Sequence, residues 1–253
     1  MNAFIFFLSG FPIANVISAF RISNVSGQFI VVILLLGSIF AWSVMITKFL
    51  ELKTAMKASK QFLSAYRNSN HPMMLFLMKR KYTAVDKYSN TPMYTIYQET
   101  CRNIAESLQL HETNTAELFM EEMNKTNHSL KGYQIRTMRN LADQVLSEQV
   151  VDLEKHMIIL ATAATSAPFL GLLGTVWGVM DAFGGLALSS SATLAAVAPG
   201  VSGALLTTVV GLLIALPSII GYNVLTGQIR KLSIMMEHFV QELMANIERH
   251  FQE

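Results

Sequence analysis

Thr175 and the adjacent pair Thr207 and Thr208 are hydroxyl-bearing residues set in very apolar stretches of this 253-residue chain, APFLGLLGTVWGVM (167–180) and GALLTTVVGLLIALP (203–217). A threonine hydroxyl is both donor and acceptor. Where bulk water is excluded, it can meet a carboxyl group in either protonation state or hold a water in a proton relay. It can equally bond the carbonyl of its own helix three or four residues back and simply pack. Spacing alone leaves both readings of Thr175 and Thr208 open. Asp181 is the acid at the end of the first stretch, about 9 Å along a helix from Thr175 at 1.5 Å per residue. It reads either as a solvated helix end or as an attractor of cations at the mouth of a path.

The elements that position these residues carry small side chains on defined faces. At 100° per residue Ala161, Pro168, Thr175 and Ala182 point in nearly one direction, with Ala164 close by. A second stripe, Ala167, Gly171, Gly174 and Gly178, is spaced four, three and four. Such faces let helix backbones approach closely in lipid, where packing replaces the hydrophobic drive. Pro168 lacks an amide donor and so releases the carbonyl of Ala164. The other stretch repeats the design: Ala204, Thr208, Gly211 and Ala215 share a face bracketed by Pro199 and Pro217.

Composition says what kind of molecule surrounds these faces. Hydrophobic residues make up 52% and charged residues 14%, and mean hydropathy is +0.39, too apolar for an ordinary soluble domain. Three windows satisfy the roughly 20 apolar residues a membrane helix needs: Phe29 to Thr47, Met157 to about Phe183, and about Leu194 to Leu225. The break between the last two falls in the small, polar segment GGLALSSSAT. Fifteen of the nineteen Lys and Arg residues lie between Lys48 and Lys155, and three more follow the third window. Basic residues beside spans stay cytoplasmic, so the middle segment and C-terminal tail are expected in the cytoplasm. The N-terminus and the short loop then face outward, which in a bacterium is the periplasm.

The expected fold is an all-α membrane protein with three transmembrane helices, the second and third extended into a cytoplasmic helical bundle. Its segments are a periplasmic or interfacial stretch at 1–27, transmembrane helices at 28–48, 156–183 and 194–226, a cytoplasmic helical segment at 49–155, a short periplasmic loop at 184–193 and an amphipathic tail at 227–253. The first twenty residues lack a basic n-region and a clear cleavage site, which favours an interfacial or periplasmic helix over a removed leader. Ile135, Met138, Leu141 and Val145 recur at helical spacing, and that pattern meets the second span with no proline or glycine between, which predicts one continuous helix. Leu232, Met235, Phe239, Leu243 and Ile247 mark an amphipathic continuation of the third span. Arg67 to Pro72 and Lys87 to Pro92 read as turns.

Other constellations carry little chemistry. The single Cys101 forms no intramolecular disulfide and reads as a structurally neutral thiol. The six histidines, His71, His111, His128, His156, His238 and His250, show no metal-ligand spacing,, and His156 reads as an interfacial residue. Glu121, Glu122, Glu148 and Asp152 fit a solvated helix face. The scattered methionines read as core filler. No phosphate-binding loop, dinucleotide fingerprint or nucleophile elbow occurs, so neither an enzyme nor a cofactor is expected. Topology and lipid attraction account for the basic middle segment without nucleic acid.

GLLGTVWGVM, followed by ATLAAVAPGVSGALLTTVVGLLIALPSIIGYN, resembles the second and third spans of the MotA/TolQ/ExbB proton-channel family, most closely its TolQ and ExbB branch. FAWSVMITKFLELK and LEKHMIILATAATSAPFLG are similar too. The likeness covers roughly residues 28–60 and 135–240. It implies a three-span subunit of the bacterial inner membrane, assembled as a pentamer around the helices of a single-span partner of the ExbD or TolR type. That partner brings an aspartate into the pore. Proton flow past it is coupled to work by a periplasmic energy transducer of the TonB or TolA type. On this resemblance Thr175 and Thr208 match the pore threonines of the second and third spans, and Thr207, a possible pore-lining residue, falls where the family commonly has alanine.

A carboxylate at bilayer depth costs about 2.5–3.5 kcal/mol on insertion scales unless polar groups meet it. Each proton crossing yields about 2.3 kcal/mol per 100 mV, so no nucleotide is needed. The sequence departs from the branch at Gly203, where a glutamate is usual. That departure motivates an alternative, a pentameric membrane scaffold that does not conduct. A flagellar-stator-like subunit is a further alternative, but such subunits carry four spans and only three are found.

Overall fold

The computed structural model describes residues 20, 24–69, 71–78, 91–107, 130–187 and 193–251. Regular structure within them is helical: α1 (Val25–Arg67), α2 (Met74–Met78), α3 (Pro92–Ser107), α4 (Gly132–Glu154), α5 (Met157–Ala187) and α6 (Leu194–Phe251). Three of these, α1, α5 and α6, are long and apolar enough to cross a membrane. The chain is an all-α, multi-pass membrane protein. The interfacial helix expected near the N-terminus falls almost wholly outside the described residues. So do the turn before Pro92, His111, His128, Glu121 and Glu122.

The chain divides into two compact units. One takes the residues up to Thr47 together with His156–Val224; the other takes Lys48–Lys155 and the residues from Leu225 onward. In the first, Ile30 and Leu34 of α1, Ala167 of α5 and Ala215 of α6 form a small core. Large apolar side chains point outward, among them Phe40, Phe169, Val176, Leu212 and Ile220. A soluble protein would bury such residues, whereas a lipid-facing helix presents them. The scarcity of charge in these spans, where Asp181 is the one charged residue, has the same cause,.

The second unit has an ordinary buried core. Phe62 and Tyr66 of α1, Tyr94 and Tyr97 of α3 and Phe239 of α6 stack with ring centroids 5.2 to 6.5 Å apart. Tyr97 Oη donates to Pro72 O at 2.8 Å and accepts from the Phe76 amide at 3.1 Å. The α6 tail buries Leu232, Phe239, Leu243 and Ile247 as its spacing predicts, but Met236 rather than Met235 takes the core position. A hydrophobic pattern drifts against an ideal 3.6-residue period over a helix this long, so the choice between two adjacent methionines is set by packing. Cys101 is fully buried, and loss of hydration pushes its thiol well above the ordinary range. It is therefore unreactive as a nucleophile.

Two expectations require correction. The helix before the second span is not continuous with it: α4 ends at Glu154 and α5 begins at Met157. Lys155 is extended, with ψ 136°, and His156 is left-handed, with φ 68°. Asp152 O accepts from the Lys155 amide at 3.2 Å and from Lys48 Nζ at 3.5 Å, so part of the helix end is satisfied without glycine or proline,. The expected loop at 184–193 also begins later than its sequence suggests. Gly184 and Gly185 lie inside α5, which runs to Ala187, and residues 188–192 are outside the described set.

Candidate functional site

The site lies where α5 and α6 cross, and glycines make the crossing possible. A methyl group on Gly171 would sit 2.8 Å from Thr207 O and 3.0 Å from Thr208 Cα. One on Gly211 would sit 2.6 Å from Ala167 O, and one on Gly178 would sit 2.7 Å from Ala204 Cβ. Gly174 leaves room for the Thr207 side chain, whose Oγ1 would be 2.5 Å from an added methyl. The stripe Ala167, Gly171, Gly174 and Gly178 is thus the contact face of α5, and Ala204, Thr207, Thr208 and Gly211 answer it from α6. Pro168, Pro199 and Pro217 are all accommodated inside continuous helices.

This close approach brings three hydroxyls onto two backbone carbonyls. Thr175 and Thr208 are half-buried with their Oγ1 atoms in direct contact. Thr208 Oγ1 donates to Gly171 O at 3.0 Å, and Thr175 Oγ1 reaches Gly171 O at 3.2 Å and Ala204 O at 3.3 Å. Thr207, grouped above with the possible pore-lining residues, is fully buried between the helices. Its Oγ1 donates to Ala204 O at 2.7 Å or Gly171 O at 2.9 Å.

Other hydroxyls of α5 behave differently. Thr162 bonds Ile158 O at 2.8 Å, Thr165 bonds Ala161 O at 3.0 Å, and Ser166 bonds Thr162 O at 2.6 Å, all within α5. These are ordinary back-bonded side chains. Thr175 and Thr208 bond across the helix crossing as well, so local back-bonding does not exhaust their geometry.

Asp181 is placed apart from this cluster. Its carboxylate accepts from Asn24 Nδ2 at 3.3 Å and from Ser26 Oγ at 3.2 Å, two side chains at the start of α1. An anion is favoured there by the orphan amides of a helix N-terminus. Asn24 and Ser26 escaped notice in the sequence. Their signal was an Asn-Val-Ser step directly ahead of an apolar run, the composition of a helix start. The carbonyls of Gly171 and Ala204 leave no mark in a sequence at all.

This architecture has known relatives. A profile of the MotA/TolQ/ExbB proton channel family matches residues 110–238, half of the chain and the whole of the α5–α6 crossing. The chain belongs to that family. The Tol-Pal system protein TolQ of Haemophilus influenzae is 29% identical over 239 residues, 93% of this chain and 94% of that protein. The TolQ of Pseudomonas aeruginosa is 40% identical over 104 residues, 41% of this chain and 45% of that one. The biopolymer transport protein ExbB of Salmonella typhimurium is 49% identical over 70 residues, 28% of this chain and 29% of that one. These names place the chain in the TolQ and ExbB branch of the family.

Proposed function

We propose that the chain is an inner-membrane proton-channel subunit that couples proton-motive force to transport or envelope work through a single-span partner of the ExbD or TolR type. Five copies surround the partner's helices, and a transducer of the TonB or TolA type receives the work. The middle segment and the tail lie in the cytoplasm, and the N-terminus lies in the periplasm. The observation that carries this reading is the cross-helix hydroxyl pair, Thr175 on α5 and Thr208 on α6, held half-buried in an otherwise apolar span. Such a pair can accept from a neutral acid or donate to its carboxylate, which offsets part of the cost of placing that acid in the membrane. Gly171, Gly174, Gly178 and Gly211 supply the close crossing on which the pair depends.

Thr175→Val and Thr208→Val test this directly, because valine keeps the shape and removes the hydroxyl. With the partner present in liposomes, each variant should assemble normally and lose proton flux by at least about tenfold, the cost of roughly one charge-assisted hydrogen bond. Wild-type flux from both would reject the proposal. A second reading, a pentameric scaffold that does not conduct, is favoured by Gly203, which leaves residues 194–226 of α6 without an acid. It requires that coupled output be insensitive to an uncoupler.

A further inference from the structure

We propose that Thr207 is a positioning residue of the proton path: it occupies carbonyl acceptors shared with Thr175 and Thr208 and so leaves that pair one hydroxyl proton in excess, free to be donated to an entering acid or water. The inference rests on the proton-path reading of Thr175 and Thr208.

A carbonyl oxygen offers two lone pairs. In the interior of a helix one of them is taken by the amide four residues on, which for Gly171 O is that of Thr175 and for Ala204 O that of Thr208. One acceptor position remains on each oxygen. Three hydroxyls lie within reach of those two positions: Thr207 at 2.7 and 2.9 Å, Thr208 at 3.0 Å, and Thr175 at 3.2 and 3.3 Å. Thr207 has the shortest bonds and is fully enclosed, so its proton has no outward alternative. One proton of the other two hydroxyls must then go elsewhere, either to the neighbouring hydroxyl across the Thr175–Thr208 contact or outward. Turning it outward breaks no carbonyl bond. Without the Thr207 hydroxyl, two protons would meet two acceptor positions, and donation outward would sacrifice one of those bonds. Thr207 therefore favours the ionised form of a carboxyl facing the pair.

Among the described residues, no charged group bonds to the Thr175–Thr208 pair. Asp181 is the one charge on α5, Lys155 precedes that helix, α6 carries none before Arg230, and α1 carries none before Lys48. Asp181 is also the titratable group nearest the pair along α5, six residues from Thr175 and bonded to Asn24 and Ser26; beyond it the next are Tyr222, fourteen residues from Thr208, and His156, nineteen residues from Thr175.

The test uses the full chain reconstituted with its single-span partner in liposomes, with proton uptake followed under an imposed potential across a pH series. Thr207→Val keeps the volume and removes the hydroxyl, and Thr207→Ser keeps the hydroxyl. The valine variant should move the pH profile of flux upward by about 0.7 unit, the roughly fivefold change that one neutral hydrogen bond is worth. The serine variant should restore the wild-type profile. If the second methyl of valine blocks assembly, Thr207→Ala replaces it with the same expectation. A wild-type profile in the variant without a hydroxyl, or a serine variant that behaves like it, overturns the inference. Failure of the underlying reading has a different signature, wild-type flux in Thr175→Val and Thr208→Val.

Discussion

At the scale of single residues, the distinction that matters is where a hydroxyl sends its proton. Thr162, Thr165 and Ser166 spend theirs inside α5, while Thr175 and Thr208 reach across to α6 and α5. Thr165→Val should therefore leave proton flux unchanged in the liposome assay that Thr175→Val disables, which checks that position and not hydroxyl content is what counts. Asp181 carries a separate expectation. Its bonds to Asn24 and Ser26 make it a tie to the start of α1. Asp181→Ala should then lower the thermal unfolding midpoint slightly and keep flux within about twofold, because two exposed neutral donors are worth little. The threonines were legible in the sequence from their small-residue setting. Their acceptors were not, since a pattern of side chains does not show which backbone carbonyls a close helix crossing brings into reach.

At the scale of elements, the α5–α6 crossing is set by backbone contact, and backbone cannot move aside as a side chain can. Gly171→Ala and Gly211→Ala would drive a methyl group against Thr207 O and Ala167 O. Each should cost about 1–3 kcal/mol, as overpacking does, seen as a lowered unfolding midpoint in detergent. Gly184→Ala is the control: nothing lies within 4 Å of its added methyl, so the higher helix propensity of alanine should leave stability equal or raised by up to about 1 kcal/mol,. The three spans were readable because each window is long and apolar and Asp181, near the end of the second, is the one charged residue they contain. The break at Lys155–His156 was not, because neither residue is a helix breaker by type. It depends on His156 adopting a left-handed backbone, which costs a non-glycine residue about 1 kcal/mol,. His156→Gly should thus be neutral or stabilising, and His156→Val destabilising, in the same unfolding measurement. The loop expected from Gly184 onward begins later for the opposite reason: Gly184 and Gly185 weaken a helix without ending it,.

At the scale of the whole molecule, the first unit has the composition of a lipid-embedded body, and the second has a soluble-type core with a pH dependence of its own. His71 is held below the ordinary histidine range, chiefly because burial removes water from its ring and further because His250 stands beside it. A folded-state value below the unfolded one means that the neutral ring favours folding. That stability is present above about pH 6.5, the unfolded value, and is lost as pH falls through the lower folded value. His71→Phe should flatten this decline in unfolding measurements on the full chain. Family membership and three apolar helices fix the class of the molecule, and the threonine pair carries the proposal about what it conducts. A high-resolution structure of the complete assembly with its single-span partner tests that proposal most directly. The expected result is Thr175 Oγ1 and Thr208 Oγ1 within hydrogen-bond reach of the partner's acid, directly or through one water. Both hydroxyls facing acyl chains, around a dry centre, would contradict it.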